Sequence, residues 1–311
     1  MRIIWDQTTR GEWRDLLGRV PQSNLLYTWS YAHAVRLHRQ MMTRFGVIEV
    51  DGRPRGLLEV QEAGLGKLIQ AVTVHRGPLW LDTPATSEEW ATFLDVFNDT
   101  YPRRLGRIRR FMPEMEDSPE VQRALAAASF KRSGEGYETL WLDLRPDTES
   151  LRKGLKQKWR NALNGSERND LTLDLDVTGT SSSWLLSRYG QDKAEREFGG
   201  ATPKFLQQMV SDSVIDEDSL ILRALHEGKP VAGVLLFIHG HSATYQVGWS
   251  GDEGRRLKAH HYLLWQGLVA LKERGCDWLD LGGINPDEAE GVTRFKEGLG
   301  GTRYKTAGLY K

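Results

Sequence analysis

One cysteine, no surplus of either charge and no apolar run longer than residues 231–238 set the first limits on this chain of 311 residues. A lone Cys276 can neither close a disulfide within the chain nor complete a zinc knot, which excludes a disulfide-stapled scaffold. The 42 Lys and Arg residues balance 42 Asp and Glu residues, so no uniform basic field is available to coat nucleic acid, and only local basic tracts remain. The run 231–238 includes a glycine and falls far short of the roughly 20 apolar residues that cross a bilayer, so no transmembrane segment is expected. At the N-terminus, MRIIWDQTTRGEWRD sets Asp6 and Glu12 where a signal peptide needs an apolar stretch. These absences predict a cytoplasmic protein, at most peripheral to the inner face of the membrane, with a length suited to two domains of roughly 150 residues. His-Glu-x-x-His, Gly-x-Ser-x-Gly, P-loop and dinucleotide fingerprints are also missing. Neither a bound metal nor a resident cofactor is expected, and Cys276, between a helix and a buried strand, reads as core.

What is present is an order of elements that occurs twice. Residues 44–50, 55–62 and 67–74 read as strands, with Asp51-Gly-Arg-Pro as the first turn. Residues 87–101 read as a helix, opened by Ser-Glu-Glu-Trp and carrying Trp90, Phe93, Leu94 and Phe97 on one stripe. A strand at 106–112, a helix at 119–128 and a closing strand at 138–144 follow. The second half repeats the plan: strands at 219–226, 231–238 and 242–249 with Glu227-Gly-Lys-Pro as the turn, then a helix at 257–274. A strand at 278–281, a short helix at 292–298 and a last strand at 303–309 complete it. Three antiparallel strands followed by helix, strand, helix, strand describe a mixed, mostly antiparallel sheet flanked by helices. The expected class is therefore α/β, two tandem acyltransferase domains built like N-acetyltransferases (GNAT-like), spanning 1–146 and 147–311. Residues 148–169 read as one long basic helix opening the second domain, with further helices at 181–198 and 203–214.

Three stretches could carry chemistry. In Leu151-Arg-Lys-Gly-Leu-Lys-Gln-Lys-Trp-Arg, residues Arg152, Lys156 and Arg160 recur every four positions and would share a helix face, flanked by Lys153 and Lys158. Such a face can grip phosphates, although charge runs more often only face water. Near the C-terminus, Gly282 and Gly283 end the strand Trp278-Leu-Asp-Leu and allow close approach of backbone to a ligand or to another strand. Lys296 follows on a short helix, where a cation could bind phosphate or stabilise an oxyanion, or could simply face solvent. Third, His260 and His261 sit at the strand-to-helix turn where an acyl-CoA enzyme of this architecture needs bare glycine backbone for a pyrophosphate. The turn reads Gly254-Arg-Arg-Leu-Lys-Ala-His-His, with bulky side chains, which weakens acyl-CoA use. Trp249 borders the same stretch.

Leu140-Trp-Leu-Asp-Leu, the basic tract with Lys158 and Arg160, Gly282-Gly-Ile, and Gly291 with Phe295-Lys-Glu-Gly-Leu-Gly-Gly together resemble the FemABX aminoacyltransferases. That family adds amino acids from aminoacyl-tRNA to peptidoglycan precursors. The resemblance spans nearly the whole chain and is most specific in the last 35 residues; Asn24-Leu-Leu-Tyr-Thr-Trp and Arg76-Gly-Pro-Leu-Trp carry it in the first domain. It implies attack of a muropeptide amine on the ester carbonyl of aminoacyl-tRNA, with no metal and no covalent intermediate. It also implies that Lys296 stabilises the tRNA end or the oxyanion. Lys158 and Arg160, beside Lys156, would hold the diphosphate of a UDP-linked or lipid-linked precursor, with Arg36 a weaker candidate for the same group. Where the family tends to place an acidic residue before proline, this chain reads Phe111-Met112-Pro113-Glu114, leaving Glu114 as the candidate proton acceptor. No coiled-coil arm is expected, because the inserted helices are short and lack heptads.

The leading expectation is thus amide-forming acyl transfer from aminoacyl-tRNA. A second enzyme reading is an acyl-CoA-dependent N-acyltransferase acting on an amino sugar or another small amine. A reading of another class is a binding module that kept the fold and lost the chemistry, to which Met112 points and the intact Phe295-Lys296 stretch does not. Oligomeric state is left open.

Overall fold

The computed structural model describes residues 1–65, 69–284 and 290–311. The start of the third strand expected at Lys67, and Asn285 and Pro286 of the C-terminal motif, lie outside the described residues. The chain folds into two compact units, one of Met1–Glu138 with Tyr304–Lys311, the other of Thr139–Arg303.

In chain order the first stretch runs β1 (Arg2–Trp5), α1 (Arg10–Gly18), α2 (Trp29–Arg39), β2 (Met42–Val50), β3 (Arg53–Leu65), β4 (Ile69–His75) and β5 (Leu79–Trp80). It continues α3 (Ser87–Thr100), β6 (Arg107–Met112), α4 (Pro119–Ala127) and β7 (Arg132–Gly134). Then come β8 (Glu138–Asp143), α5 (Thr148–Gly154), α6 (Gln157–Ser166), β9 (Thr172–Asp176), α7 (Ser182–Arg196) and α8 (Pro203–Ser213). The last elements are β10 (Ser219–His226), β11 (Lys229–His239), β12 (Ser242–Ser250), α9 (Asp252–Arg256), α10 (Ala259–Glu273), β13 (Trp278–Gly283), α11 (Glu290–Glu297), β14 (Thr302–Lys305) and β15 (Leu309–Tyr310).

Two mixed, mostly antiparallel sheets result, in the orders β1-β2-β3-β4-β6-β15-β7 and β14-β8-β13-β12-β11-β10-β9. Among the described pairings each sheet has one parallel pair, β4 with β6 and β12 with β13. The repeated order read from the sequence is therefore present, but the closing strands are exchanged. β8 pairs with β13 in the second sheet, and β15 pairs with β6 in the first. Strand alternation tells which residues face a core and not whose core it is: Leu140 and Leu142 pack with the second cluster, Ala307 and Tyr310 with the first. The expected cut at 146 therefore lies inside the second unit, and residues 304–311 return to the first.

Local chemistry accounts for the elements that frame each sheet. α3 starts where the Thr86 hydroxyl accepts from the Glu89 backbone N–H and the Glu89 carboxylate answers, a capping box. Its predicted stripe of Trp90, Phe93, Leu94 and Phe97 is buried against Phe111 and Phe130. α10 buries residues around much of its circumference, including Leu263, Leu264, Trp265, Leu268 and Leu271, as a central helix packed on β10, β11 and α6 must.

The expected single helix over 148–169 is instead two. Leu155 and Lys156 are extended, with ψ 137° and 145°, and the Lys156 N–H turns away to the Gly298 carbonyl at 2.9 Å. The break lets Leu155 and Trp159 both enter the core. It also removes the shared face expected for Arg152, Lys156 and Arg160. Likewise the helix expected from 257 begins at Ala259, preceded by the separate short α9.

Candidate active site

The second unit's parallel pair is short. β12 and β13 keep register from Ser242↔Trp278 to Thr244↔Asp280, after which β12 runs on to Ser250 beside β11 and β13 to Gly283 beside β8, no longer paired with each other. A crevice at the C-terminal ends of parallel strands is where α/β sheets present ligands. Gly282 is what shapes it here. Its φ of +75° is left-handed, and a Cβ at this position would lie 3.1 Å from the Tyr245 carbonyl, so the backbone here favours glycine. The turn is pinned by Asp280, whose carboxylate accepts from the Gly282 N–H at 2.8 Å, and by the Thr139 hydroxyl, which donates to the Gly282 carbonyl at 2.9 Å.

Lys296 reaches this turn from α11. Its Nζ donates to the Gly283 carbonyl at 2.8 Å and to the Gly282 carbonyl at 3.2 Å, 5.9 Å from the centre of the Tyr245 ring. The side chain is 7% exposed. Burial lowers its pKa from 10.5 to about 8, against the pull of Asp280. Lys296 is therefore a desolvated cation at neutral pH, a group whose charge can be felt strongly by an oxyanion in the same crevice.

Beside it, the Tyr245 hydroxyl and His260 Nε2 share a hydrogen bond of 2.8 Å. Gly248 makes room for that pair, since a Cβ there would fall 1.9 Å from the Tyr245 hydroxyl and 2.4 Å from His260 Cε1. Burial, and then His261, push His260 down to about 4; burial, and then Lys258, do the same to His261. Both rings are neutral at pH 7. They hold Phe295 from two sides, at 5.4 and 5.0 Å between centroids, and Trp159 packs on His261 at 4.9 Å. These edge-on and tilted ring contacts hold the helix that carries Lys296.

A cavity of about 380 Å³ joins these groups; its lining includes Tyr245, Trp249, His260, Phe295 and Lys296, with Arg196, Arg255, Lys258 and the acidic Asp192 also on its walls. Six residues singled out from the sequence thus gather in one place: Lys296, His260, His261 and Trp249 line the cavity, and the carbonyls of Gly282 and Gly283 accept from Lys296. The basic tract does not line it. Lys156 lies 3.7 Å from Glu297, Arg160 bonds the Lys153 carbonyl and Gln157, and Lys158 is exposed. Arg152 is tied to Glu167 and Asn164. Tyr245, Arg196 and Lys258 were not singled out; strand alternation gives Tyr245 a face but no role, and Arg196 stands on an inserted helix far from any motif in sequence.

The other two candidates belong to the first unit. Arg36 is an exposed residue of α2. Glu114 accepts from Arg76 at 2.7 and 3.1 Å and from Asn24 at 3.3 Å, so both of its oxygens are engaged. Cys276 is buried and its thiol is pushed up to about 12 by burial and by Asp277. Among the described residues no group of three His, Cys, Asp or Glu side chains could hold a metal, and no helix is long and apolar enough to cross a membrane.

The model of a family described as the acetyltransferase (GNAT) domain matches residues 149–306, just over half of the chain. Comparison with curated proteins gives no match. Among solved structures, FemX superposes with a TM-score of 0.82 at 15% identity, over 100% of this chain and 96% of its own. A conserved protein of unknown function from Bacteroides thetaiotaomicron VPI-5482 gives 0.64 at 13% identity, over 99% and 98%. A tandem GNAT protein from the clavulanic acid biosynthesis pathway gives 0.51 at 14% identity, over 99% and 98%. At such identities these likenesses are ones of fold. With the family model, they make the chain an acyltransferase that belongs to the acetyltransferase (GNAT) domain family, built on a FemX-like tandem fold.

Proposed function

We propose that the chain transfers an aminoacyl group from aminoacyl-tRNA to an amine of a UDP-linked or lipid-linked muropeptide precursor, in the cytoplasm. The observation that carries this reading is Lys296, a buried ammonium held by two carbonyls at the mouth of the β12–β13 crevice. In the step it serves, the acceptor amine attacks the ester carbonyl and the carbonyl oxygen becomes an oxyanion facing that ammonium. The C–O ester bond then breaks, the amide forms, and the proton lost by the amine ends on the released ribose hydroxyl of the tRNA. Tyr245, bonded to a neutral His260, is placed to relay that proton.

One observation favours a tRNA donor over acyl-CoA. The turn that would have to cradle a pyrophosphate is occupied by α9, where Gly254 is packed so tightly that a Cβ would meet the Val231 carbonyl at 2.3 Å. The cavity walls also carry Arg196, Arg255 and Lys258 beside Asp192, cations that suit the phosphates of either donor. Lys158 and Arg160 are kept as the grip on the precursor diphosphate, because Lys156 joins their tract to Glu297, next to Lys296. No step is assigned to Glu114, whose oxygens are committed to Arg76 and Asn24, nor to the exposed Arg36.

The description of the matching family model as an acetyltransferase domain supports a second reading, acyl-CoA-dependent transfer to a small amine. Purified protein with a precursor pool, given labelled aminoacyl-tRNA in one tube and labelled acyl-CoA in another, separates the two. Label passing from tRNA is the expected result. Label passing only from CoA overturns the donor, and silence in both overturns the acceptor.

A further inference from the structure

The first unit carries a group of cations that the acyl-transfer reading does not use. Arg103, Arg104, Arg107, Arg109 and Lys311 line a cavity of about 460 Å³ together with Ile108, and no acidic residue lines it. It lies at the N-terminal end of the parallel pair, where Arg107 stands opposite Gln70, away from Glu114. Elsewhere in this unit arginines meet carboxylates, as in Arg19–Asp82, Arg55–Glu89 and Arg132–Asp117. Arg107 and Arg109 here meet neutral acceptors. Arg103 bonds the Lys311 carbonyl at 2.7 Å, Arg107 bonds Gln70 and the Pro102 carbonyl at 2.9 Å each, and Arg109 bonds Asn98 and the Tyr101 carbonyl. Arg109 is only 5% exposed, stacked on Phe130 at 4.8 Å, with Nε and one terminal nitrogen unpartnered. Burial and then the nearby Arg103 and Arg107 lower its pKa to about 10. A buried charge among like charges is costly when nothing balances it, and the surface is thus prepared for an anion from outside.

The same end of the sheet is also apolar. Leu105 is 99% exposed, and Met42, Ile69 and Ile108 are each more than half exposed. Ile69 precedes Gln70, whose N–H bonds the Gly106 carbonyl next to Leu105 at 2.8 Å, and Met42 lines a second cavity with Arg104, Arg107 and one carboxylate, that of Glu62. The exposed apolar side chains are aliphatic. A nucleic acid would be better met by exposed aromatic rings on which bases stack, whereas aliphatic side chains ringed by arginines suit the boundary between lipid headgroups and acyl chains.

We propose that this face docks on an anionic phospholipid surface, with Leu105, Ile69, Ile108 and Met42 entering the headgroup region and the arginines meeting lipid phosphates. The docking is independent of which acyl donor the second unit uses. The test is sedimentation of the full chain with vesicles of phosphatidylcholine, with or without phosphatidylglycerol, at low and high salt. Binding is expected only with phosphatidylglycerol and is expected to weaken as salt rises. The double substitution Arg104→Gln/Arg107→Gln should lower the affinity by about fivefold per arginine, from ~1 kcal/mol for each basic residue near such a surface. Leu105→Ser, at a position with no packing to lose, should lower it without changing thermal stability. Equal binding to both vesicles, or none, overturns the proposal. So does full competition by soluble glycerol phosphate, which would make the site one for a free phosphate ester. Loss of tRNA binding in the same variants with vesicle binding intact would assign the face to nucleic acid instead.

Discussion

Each unit carries one parallel strand pair, and the two pairs end differently. In the first unit β4 and β6 hold register through six positions, from Gln70↔Arg107 to His75↔Met112. In the second, β12 and β13 hold it through three. Beyond the closed pair stands an ion pair, Arg76 with Glu114, covered by the Tyr137 ring 4.6 Å from the guanidinium. Beyond the open pair stand a left-handed glycine, two carbonyls and a buried ammonium. The same order of elements therefore yields a scaffold where the strands stay together and a ligand crevice where they part. Charge follows that difference: the first unit bonds its cation directly to a carboxylate, while Lys296 in the second bonds two neutral carbonyls, with Asp280 acting on it only through its charge.

The largest effect that would sharpen this contrast is expected in the closed unit. Arg76→Ala leaves Glu114 largely buried with Asn24 and the Tyr304 hydroxyl but no cation to satisfy it, and should destabilise the protein by about 3 kcal/mol. A thermal melt and the turnover per folded molecule check it: the melt should fall and the turnover hold. A lost turnover with an unchanged melt would make the first unit's end catalytic and dissolve the comparison. Next comes Lys296→Ala, which removes the ammonium while leaving a small apolar side chain in its place. Turnover should drop by roughly 10²–10³-fold, the range found for removal of one oxyanion donor, with the protein still folded by circular dichroism. Full activity would deny Lys296 any part in the reaction.

How much of this was legible in the sequence depends on how far the deciding contact lies along the chain. The helix at 87–100 was legible because its cap and its stripe are local. Lys296 was a candidate on the glycines before it, a pattern that fits a solvent-facing lysine as well, and its role came from the resemblance to the FemABX aminoacyltransferases. The exchange of β8 and β15 was not legible, because either strand's alternation fits either sheet. Nor was the break at Leu155 and Lys156: a run of Arg and Lys at fourfold spacing reads as a helix, and what interrupts it is a carbonyl at Gly298, more than a hundred residues on. Tyr245 was hidden for the same reason, since its meaning depends on His260 and Gly248 around it.

The open crevice can be disturbed without touching a charge. In Gly248→Ala the new methyl would overlap the Tyr245 hydroxyl and His260, and one or both must move. A displacement near 1 Å in a reacting group costs up to about a hundredfold, so kcat should fall by roughly 10–100-fold while KM changes little. An equal loss in a Tyr245→Phe protein, with no further loss in the double variant, would place both changes on the one hydrogen bond. Independent, additive losses would mean that Gly248 matters for the shape of the crevice and not for the pair.

The smallest expected effect is the most discriminating, because it asks what form of Lys296 works. Its pKa is lowered from 10.5 to about 8 by burial, so the ammonium prevails below pH 8 and the free amine above it. If the charge stabilises the oxyanion, kcat should fall about tenfold for each pH unit above 8. If the amine instead took a proton from the acceptor, kcat would climb through pH 8 and level off. The acceptor amine itself loses its proton over the same range and would raise the rate, so the wild-type profile alone is ambiguous. Lys296→Arg separates the two. A guanidinium stays charged throughout, and the alkaline fall should vanish in that variant even if its rate is lower at every pH. A fall that persists in Lys296→Arg would have to come from another group, and the cation at Gly282 and Gly283 would then no longer distinguish the second unit from the first.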